Sequence, residues 1–334
     1  MKTVVLANDL ATTDVIKGEV YQTYTELLEK NIRTDLLQSS LLVEVACPGC
    51  GHLENKDAYD RMGLMFKQCA DCGSYYVSPR PNQVLQEDFN RDSEACRYWR
   101  SQIAETSDEK RYYLYGPRVN WISELVDEFI SDPSLLLDFE TKHPFFLKHV
   151  QDEKIFKRIG VFQPQVFEQE ANFPEDILRG DDIIKHEGEV SIFTAFDVVE
   201  RMFNPKDVFS AASRFCKPGG LLLLTTASCT GFEYQVLGKN APNINPINRM
   251  NLISSEALIN QVKAAGFEIL EFSTPGRLDV EIVKKVVQNK ETMDIDPFWK
   301  YIFNSRDEKT WDSLQNFLQE NRLSSHVRIA ARKK

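Results

Sequence analysis

The chain reads as an α/β protein whose parallel sheet is preceded by a helix and a small metal-stapled module. Two observations predict this. From Ser134 onward, short apolar runs alternate with helical patterns, the rhythm of strands joined by crossover helices. Ahead of them, Cys47-Pro48-Gly49-Cys50-Gly51 is followed, after eighteen intervening residues, by Cys69-Ala70-Asp71-Cys72-Gly73. Each pair is a C-x-x-C turn whose two sulfurs face one point, with a following glycine free to take the positive φ that the turn needs. Two such turns supply four thiolates, which suits tetrahedral Zn²⁺ held by Cys47, Cys50, Cys69 and Cys72. Four protein ligands leave no position for water, so the ion is expected to be structural. A redox dithiol, or iron in the same cage, are the alternatives.

The elements follow in order. Val20, Tyr24, Leu27, Leu28 and Ile32 fall at helical spacing and predict a helix over 18–38. The cysteine module spans 43–81 as short hairpins, with Tyr75-Tyr76-Val77 as its last strand. Ser78-Pro79-Arg80-Pro81 stops that strand, since neither proline donates to a ladder. The stretch 82–130 is polar with scattered aromatics (Tyr98, Trp99, Tyr112, Tyr113, Tyr115) and reads as helix and linker. Ile122, Leu125, Val126 and Phe129 make one apolar helix face within it. Strands are expected at Leu135–Leu137, Lys157–Phe162, Val190–Phe196, Leu221–Thr226, Phe267–Phe272 and His326–Ala331. Helices are expected over 145–150, over 205–216 with Pro205 in the first turn, and from an N-cap at Ser254 to Gly266. Lys217-Pro218-Gly219-Gly220 is expected to be the turn into the leucine strand. The domains then run 1–42 (helical), 43–81 (ribbon), 82–130 (helical linker) and 131–334 (α/β).

Bulk properties exclude some functions. A net charge of -10 leaves little to neutralise phosphates, which argues against a general nucleic-acid binder. The basic tail Arg332-Lys333-Lys334 is too short to alter that. No run approaches membrane-spanning length, and the start of the chain lacks signal-peptide character. Four of seven cysteines sit in metal-type pairs, which fits a reducing cytosol and leaves Cys96, Cys216 and Cys229 as buried thiols.

The stretch from Phe196 to Pro205 (FDVVERMFNP), then Lys217-Pro218-Gly219-Gly220 and its leucine strand, resembles class I S-adenosylmethionine (SAM)-dependent methyltransferases. Ala264-Ala265-Gly266-Phe267 and Thr274-Pro275-Gly276 continue the match. The four-cysteine module ending in Ser78-Pro79-Arg80-Pro81, and the tail from Leu314, are similar to a bacterial subgroup that modifies sugars and surface polysaccharides. The resemblance implies a Rossmann-like, doubly wound sheet with SAM beyond the carboxyl ends of its strands. It implies cofactor contacts from Asp138, Phe139 and Glu140 after the first strand, Gln163 after the second, Asp181 after Gly180, and Phe196 and Asp197 where the family's fourth strand opens onto the cofactor. Glu200 and Arg201 fall where the subgroup often has Glu-His at the junction of cofactor and acceptor.

The chain departs from that pattern at the positions that matter most. Asp138-Phe139-Glu140-Thr141-Lys142-His143-Pro144 replaces D-x-G-x-G-x-G, so side chains stand where bare backbone should approach the cofactor. The acid expected after the second strand is Gln163. Arg201 and Arg249 stand where histidines are common, and arginine keeps its proton, so neither can be a general base. Both guanidiniums could meet an acceptor phosphate, with packing of the loops that carry them as the alternative. His143, His149, His186 and His326 read as surface or strand-end residues. Two functions compete. One is a cytosolic methyltransferase acting on a sugar or nucleotide-sugar of a surface glycan. The other is a methyltransferase-like pseudoenzyme that binds a protein partner or ligand.

Overall fold

A computed structural model describes Lys2 and residues 18–104, 108–141, 144–163, 173, 176–289 and 295–334, without the side chains of 104, 108–114 and 144. Lys142, His143 and Pro164 lie outside the described residues, as do the side chains of Tyr112, Tyr113 and Pro144. Helix α1 (Gly18–Asn31) ends in a π-turn over Ile32–Leu36. The cysteine module follows with β1 (Leu42–Val43), β2 (Asn55–Arg61), β3 (Leu64–Cys69), β4 (Tyr75–Val77) and β5 (Arg80–Pro81). Helices α2 (Gln83–Asp92), α3 (Glu94–Ala104) and α4 (Asp108–Phe129) lead into β6 (Leu135–Phe139), α5 (Pro144–Asp152), β7 (Arg158–Phe162) and the one-turn α6 (Asp181–Ile184). Then come β8 (Val190–Phe196), α7 (Lys206–Phe215) and β9 (Cys216–Ala227). After these lie α8 (Phe232–Leu237), β10 (Asn251–Leu252), α9 (Ser255–Ala264) and β11 (Phe267–Ser273). Helices α10 (Asp279–Asn289), α11 (Pro297–Ser305) and α12 (Glu308–Glu320) precede the last strand, β12 (His326–Lys333).

The central sheet has six strands in the order β11-β12-β9-β8-β6-β7. The β7, β6, β8 and β9 pairs are parallel, and β12 is antiparallel to both its neighbours. Period-two alternation sends the strands' side chains to opposite faces. Leu135, Leu137 and Phe139 pack with α7 and α9, through Phe209, Ala212, Leu258 and Val262. Leu136, Ile192 and Leu223 pack with α4 and α5, through Ile122, Leu125, Phe146 and Leu147. Helices on both faces of a mostly parallel sheet make the doubly wound, Rossmann-like architecture that the alternation predicts. Among the described residues no helix is long and apolar enough to cross a membrane.

The sequence reading places no helix at α6, α8, α10, α11 or α12, and three further details differ from it. Helix α4 runs unbroken through Gly116-Pro117. Its apolar face is buried against the sheet, so packing outweighs the lost backbone bond, and the α/β layer starts before residue 131. Lys217–Gly220 do not end the helix as a turn, because Cys216 already caps α7 and pairs with Val190. The four residues are a bulge inside β9, ahead of the Ile192–Leu221 pair. Arg80-Pro81 lies beyond the stop of β4 but pairs with Leu42-Val43 as a separate two-residue ladder.

The cysteine module is not a free-standing bead. Its antiparallel sheet, in the order β10-β4-β3-β2, is completed by Asn251-Leu252 from the α/β half. Arg80 is fully buried at this joint. Its guanidinium donates to the Val77 carbonyl (2.8 Å), the Phe203 carbonyl (3.2 Å) and Asn251 Oδ1 (2.9 Å). Asn251 Nδ2 donates onward to the carbonyls of Val199 (3.1 Å) and Met202 (2.7 Å). Helix α9 grips the first cysteine turn, with Gln261 Nε2 donating to the carbonyls of Pro48 (2.6 Å) and Gly49 (2.7 Å). Tyr98 and Trp99 pack on this side, with Trp99 4.7 Å from Tyr24 of α1, and so serve packing there.

Truncating Arg80 leaves these acceptors buried and unpaired. Arg80→Ala is expected to lower unfolding free energy by about 2–4 kcal/mol. Equilibrium urea denaturation of the two proteins checks this, and a change below about 0.5 kcal/mol would remove the clamp from the account.

Candidate functional site

The carboxyl ends of β6 and β8 carry most of the residues singled out above. Asp138, near the end of β6, is buried, and its carboxylate accepts from Thr141 Oγ1 (2.6 Å) and Thr194 Oγ1 (2.5 Å). Burial raises its pKa to about 6, against the pull of both threonine bonds and of Arg118 and Arg201. The next turn places Glu140 at φ 54°, a left-handed conformation that side chains disfavour. It is the site where the resemblance expects glycine. The turn is held from both ends: Glu140 N–H donates to the Phe162 carbonyl (3.0 Å), and Arg201 Nη2 donates to the Glu140 carbonyl (2.7 Å). The Glu140 side chain is buried, its Oε1 has no hydrogen-bond partner, and burial raises its pKa.

A parallel arrangement follows β8. Asp197 also has a positive φ of 54°. Its carboxylate meets Arg118 Nη2 (2.6 Å), His326 Nε2 (3.2 Å) and Thr225 Oγ1 (3.1 Å). The Arg118 guanidinium also lies 5.1 Å over the Phe196 ring, a cation–π contact. Arg201 Nε reaches back to the Asp197 carbonyl at 3.4 Å, so one side chain bridges the turns after β6 and β8. The Arg201 carbonyl accepts from Gln86 Nε2 of α2 (2.7 Å), which brings the helix after the cysteine module onto the same edge.

The structure thus joins Asp138, Glu140, Phe196, Asp197 and Arg201 in one cluster, with Phe139 buried in the core below. Gln163 is half-buried just beyond β7, and Asp181 is exposed in the first turn of α6. Among the described residues, no hydrogen bond joins either to the cluster. Glu200 faces inward: its Oε2 accepts from Thr226 Oγ1 (2.7 Å), and it sits in the field of half-buried Arg249. Arg249 Nη1 donates to the Tyr234 hydroxyl (2.8 Å), with Glu233 nearby. Burial raises the Glu233 pKa to about 7, with Arg249 opposing. Arg249 and Arg201, read from the sequence as loop packing or as groups that could meet an acceptor phosphate, both bond to the protein's own groups. Arg118, Thr194, Thr225 and His326 were missed. They converge from α4, β8, β9 and β12, and nothing local marks them.

Away from this edge, the four cysteine sulfurs lie within 4.8 Å of one another. Cys47 and Cys72 sulfurs are 3.5 Å apart, as are those of Cys50 and Cys69. A tetrahedral ion with Zn–S bonds of about 2.3 Å sets its sulfurs about 3.8 Å apart, so the thiols fit a metal ion closely.

Residues 107–272, just under half of the chain, match the family model Methyltransf_23, described as a methyltransferase domain. No curated protein matches the chain significantly. Among solved structures, it is similar to geranyl diphosphate C-methyltransferase from Streptomyces coelicolor A3(2) in complex with Mg²⁺, geranyl diphosphate and S-adenosyl-L-homocysteine. That likeness has 17% identity and a TM-score of 0.41, over 73% of this chain and 84% of that one. A geranyl diphosphate methyltransferase in complex with SAM gives 13% identity and a TM-score of 0.42, over 67% and 88%. A SAM-dependent methyltransferase from Archaeoglobus fulgidus gives 14% and 0.41, over 65% and 93%.

The buried carboxyl at 138 has a measurable consequence. With its folded pKa raised from 3.8 to about 6, the folded chain binds the extra proton between those values. Stability contributed by this group is therefore full below about pH 4 and falls as pH rises to about 6, by about 3 kcal/mol in total. Asp138→Asn removes that slope. Denaturation at pH 4.5 and pH 7 should show the variant gaining on wild type at the higher pH; equal differences at both would contradict the raised pKa.

Proposed function

We propose that the chain is a SAM-dependent methyltransferase that acts on a small molecule, with a sugar or nucleotide-sugar as acceptor. The observation that carries this is the methyltransferase-domain match over 107–272, which includes the turns after β6 and β8. SAM supplies an electrophilic methyl group, and the protein's work is alignment. In this reading Asp138, Phe139, Glu140, Gln163, Asp181, Phe196 and Asp197 border the cofactor. Asp138 holds the β6 turn through its threonine bonds, and Arg201 ties that turn to Asp197. Glu200 reaches the acceptor side only through Arg249 and Tyr234, so it positions groups there.

The four thiols are proposed to hold structural Zn²⁺. A divalent ion in four thiolates leaves a net negative cage. Arg80, a buried guanidinium with no carboxylate partner among the described residues, has the Cys47 sulfur in its field. A buried cation beside a negative cage is a balance that four neutral thiols would not supply.

A second reading rests on Glu140. Its side chain stands where the resemblance expects bare backbone, and the backbone groups of that turn already bond to Phe162 and Arg201. A domain of this shape that no longer methylates, and binds a partner instead, accounts for that loss.

Calorimetric titration with SAM and with its demethylated product separates the two. Micromolar binding of either supports the methyltransferase; no binding by folded, metal-loaded protein selects the second reading. Elemental analysis is expected to find one zinc per chain. Cys47→Ser or Cys72→Ser should lose the metal and lower the melting temperature, since metal binding and folding are linked in such modules. Retained zinc at an unchanged melting temperature would overturn the site.

A further inference from the structure

A cavity of about 300 Å³ lies between the cysteine module's sheet and the segment that follows β9. The module contributes Tyr59 of β2, Gln68 of β3 and Tyr75 of β4, and the α/β half contributes Tyr234 of α8. Tyr59 and Tyr75 stack with ring centroids 5.9 Å apart and planes 26° from parallel. Lys56 and Ala58 border the mouth and are exposed. The volume stands at the lower end of the roughly 300–1,000 Å³ of small-molecule sites, enough for one ring and too little for a nucleotide-sugar.

The lining specifies chemistry. Phenols and a carboxamide each donate and accept, as hydroxyl groups do. The Tyr234 oxygen already accepts from Arg249, so the proton it keeps is its free donor. Burial raises the pKa of all three tyrosines and keeps them neutral. The charged groups bordering the cavity, Lys56 and Asp57, are exposed, and Asp57 is paired with Lys67 at 2.5 Å. An ionised ligand would meet charge only at the border, from Lys56, and none among the other described lining residues. The Gln68 side chain already meets the Tyr75 hydroxyl, and a flat apolar ring would leave the Tyr234 proton and the rest of the carboxamide unanswered, which disfavours it. A saturated ring that carries hydroxyls satisfies both demands, its C–H face on the phenol rings and its oxygens on Gln68 and Tyr234.

We propose that this cavity binds one uncharged, polyhydroxylated ring of pyranose size, and that the cysteine module is thereby the part of the chain that selects the acceptor. The second half rests on the methyltransferase reading. The cavity adjoins the proposed active edge through Tyr234, Arg249 and Glu200, the last in the turn after β8. The cysteine module then does more than stabilise: Gln68 immediately precedes Cys69, so the metal holds a ligand-facing strand in place.

Saturation-transfer NMR on the full, zinc-loaded chain tests this with the methyl pyranosides of glucose, galactose, mannose, rhamnose, fucose and N-acetylglucosamine, and with phenol as a planar competitor. The expected result is transfer to the ring protons of at least one pyranoside. It should fall at least tenfold in Ala58→Trp, which plugs the exposed mouth, and in the near-isosteric Gln68→Met. Melting temperature and zinc content of each variant report folding. Transfer to none of the sugars, transfer undiminished in both folded variants, or transfer to phenol alone would overturn the proposal. SAM titration of the same samples separates the two readings. SAM bound without any pyranoside removes the cavity assignment and leaves the methyltransferase. A pyranoside bound without SAM does the reverse.

Discussion

The pairing of β4 with β10, sealed by Arg80, is the constraint on which the rest of the molecule depends. One strand from the cysteine module and one from the α/β half share a ladder at Tyr76–Asn251 and Tyr75–Leu252. Arg80 and Asn251 bond across it and on to the turn after β8. A buried guanidinium with one nitrogen unpartnered is costly to desolvate, and burial lowers its pKa to about 9. Its geometry makes the cost sensible: a planar fork can satisfy several acceptors on different elements at once. The module's orientation, and with it the cavity on its inner face, follows from this joint.

The cofactor edge shows how a fold keeps its shape while its signature changes. In the resembled family, glycine gives the turn after the first strand its freedom. Here Glu140 adopts a left-handed conformation that costs roughly 1–2 kcal/mol for an ordinary residue. Arg201 anchors the resulting carbonyl, and Gln86 anchors Arg201 from above. The substitution at 140 and the arginine at 201 therefore belong to one arrangement. Seen in sequence, they are two separate losses.

Buried polar networks brace this architecture elsewhere. Arg328 and Glu271 form an ion pair of 2.8 Å inside the sheet, with Trp121 donating to the same carboxylate. Trp121 belongs to α4, so the network locks the helix before the first strand to the last two strands. The Glu233–Arg249–Tyr234–Glu200 group does the same work behind the cavity. Each supplies hydrogen bonds to charges that burial would otherwise penalise.

The sequence by itself determined the six strands of the central sheet, the helices α5, α7 and α9, the four-cysteine cage and the family resemblance, because these rest on short-range regularities. A short apolar run marks Leu135–Leu137, caps such as Ser254 mark helix starts, and the C-x-x-C spacing brings sulfurs together within a turn. Helix α4 running through Pro117 and the bulge at Lys217–Gly220 escaped that logic, since burial against distant partners outweighs local preference. What only the tertiary structure decided is long-range: that Asn251-Leu252 completes the cysteine module's sheet, that Arg118 and His326 converge on Asp197, and that Arg249 faces Tyr234 instead of solvent. These contacts join residues tens to hundreds of positions apart. Side-chain type fixes what each can bond, but only the packed fold selects which partner lies within 3 Å.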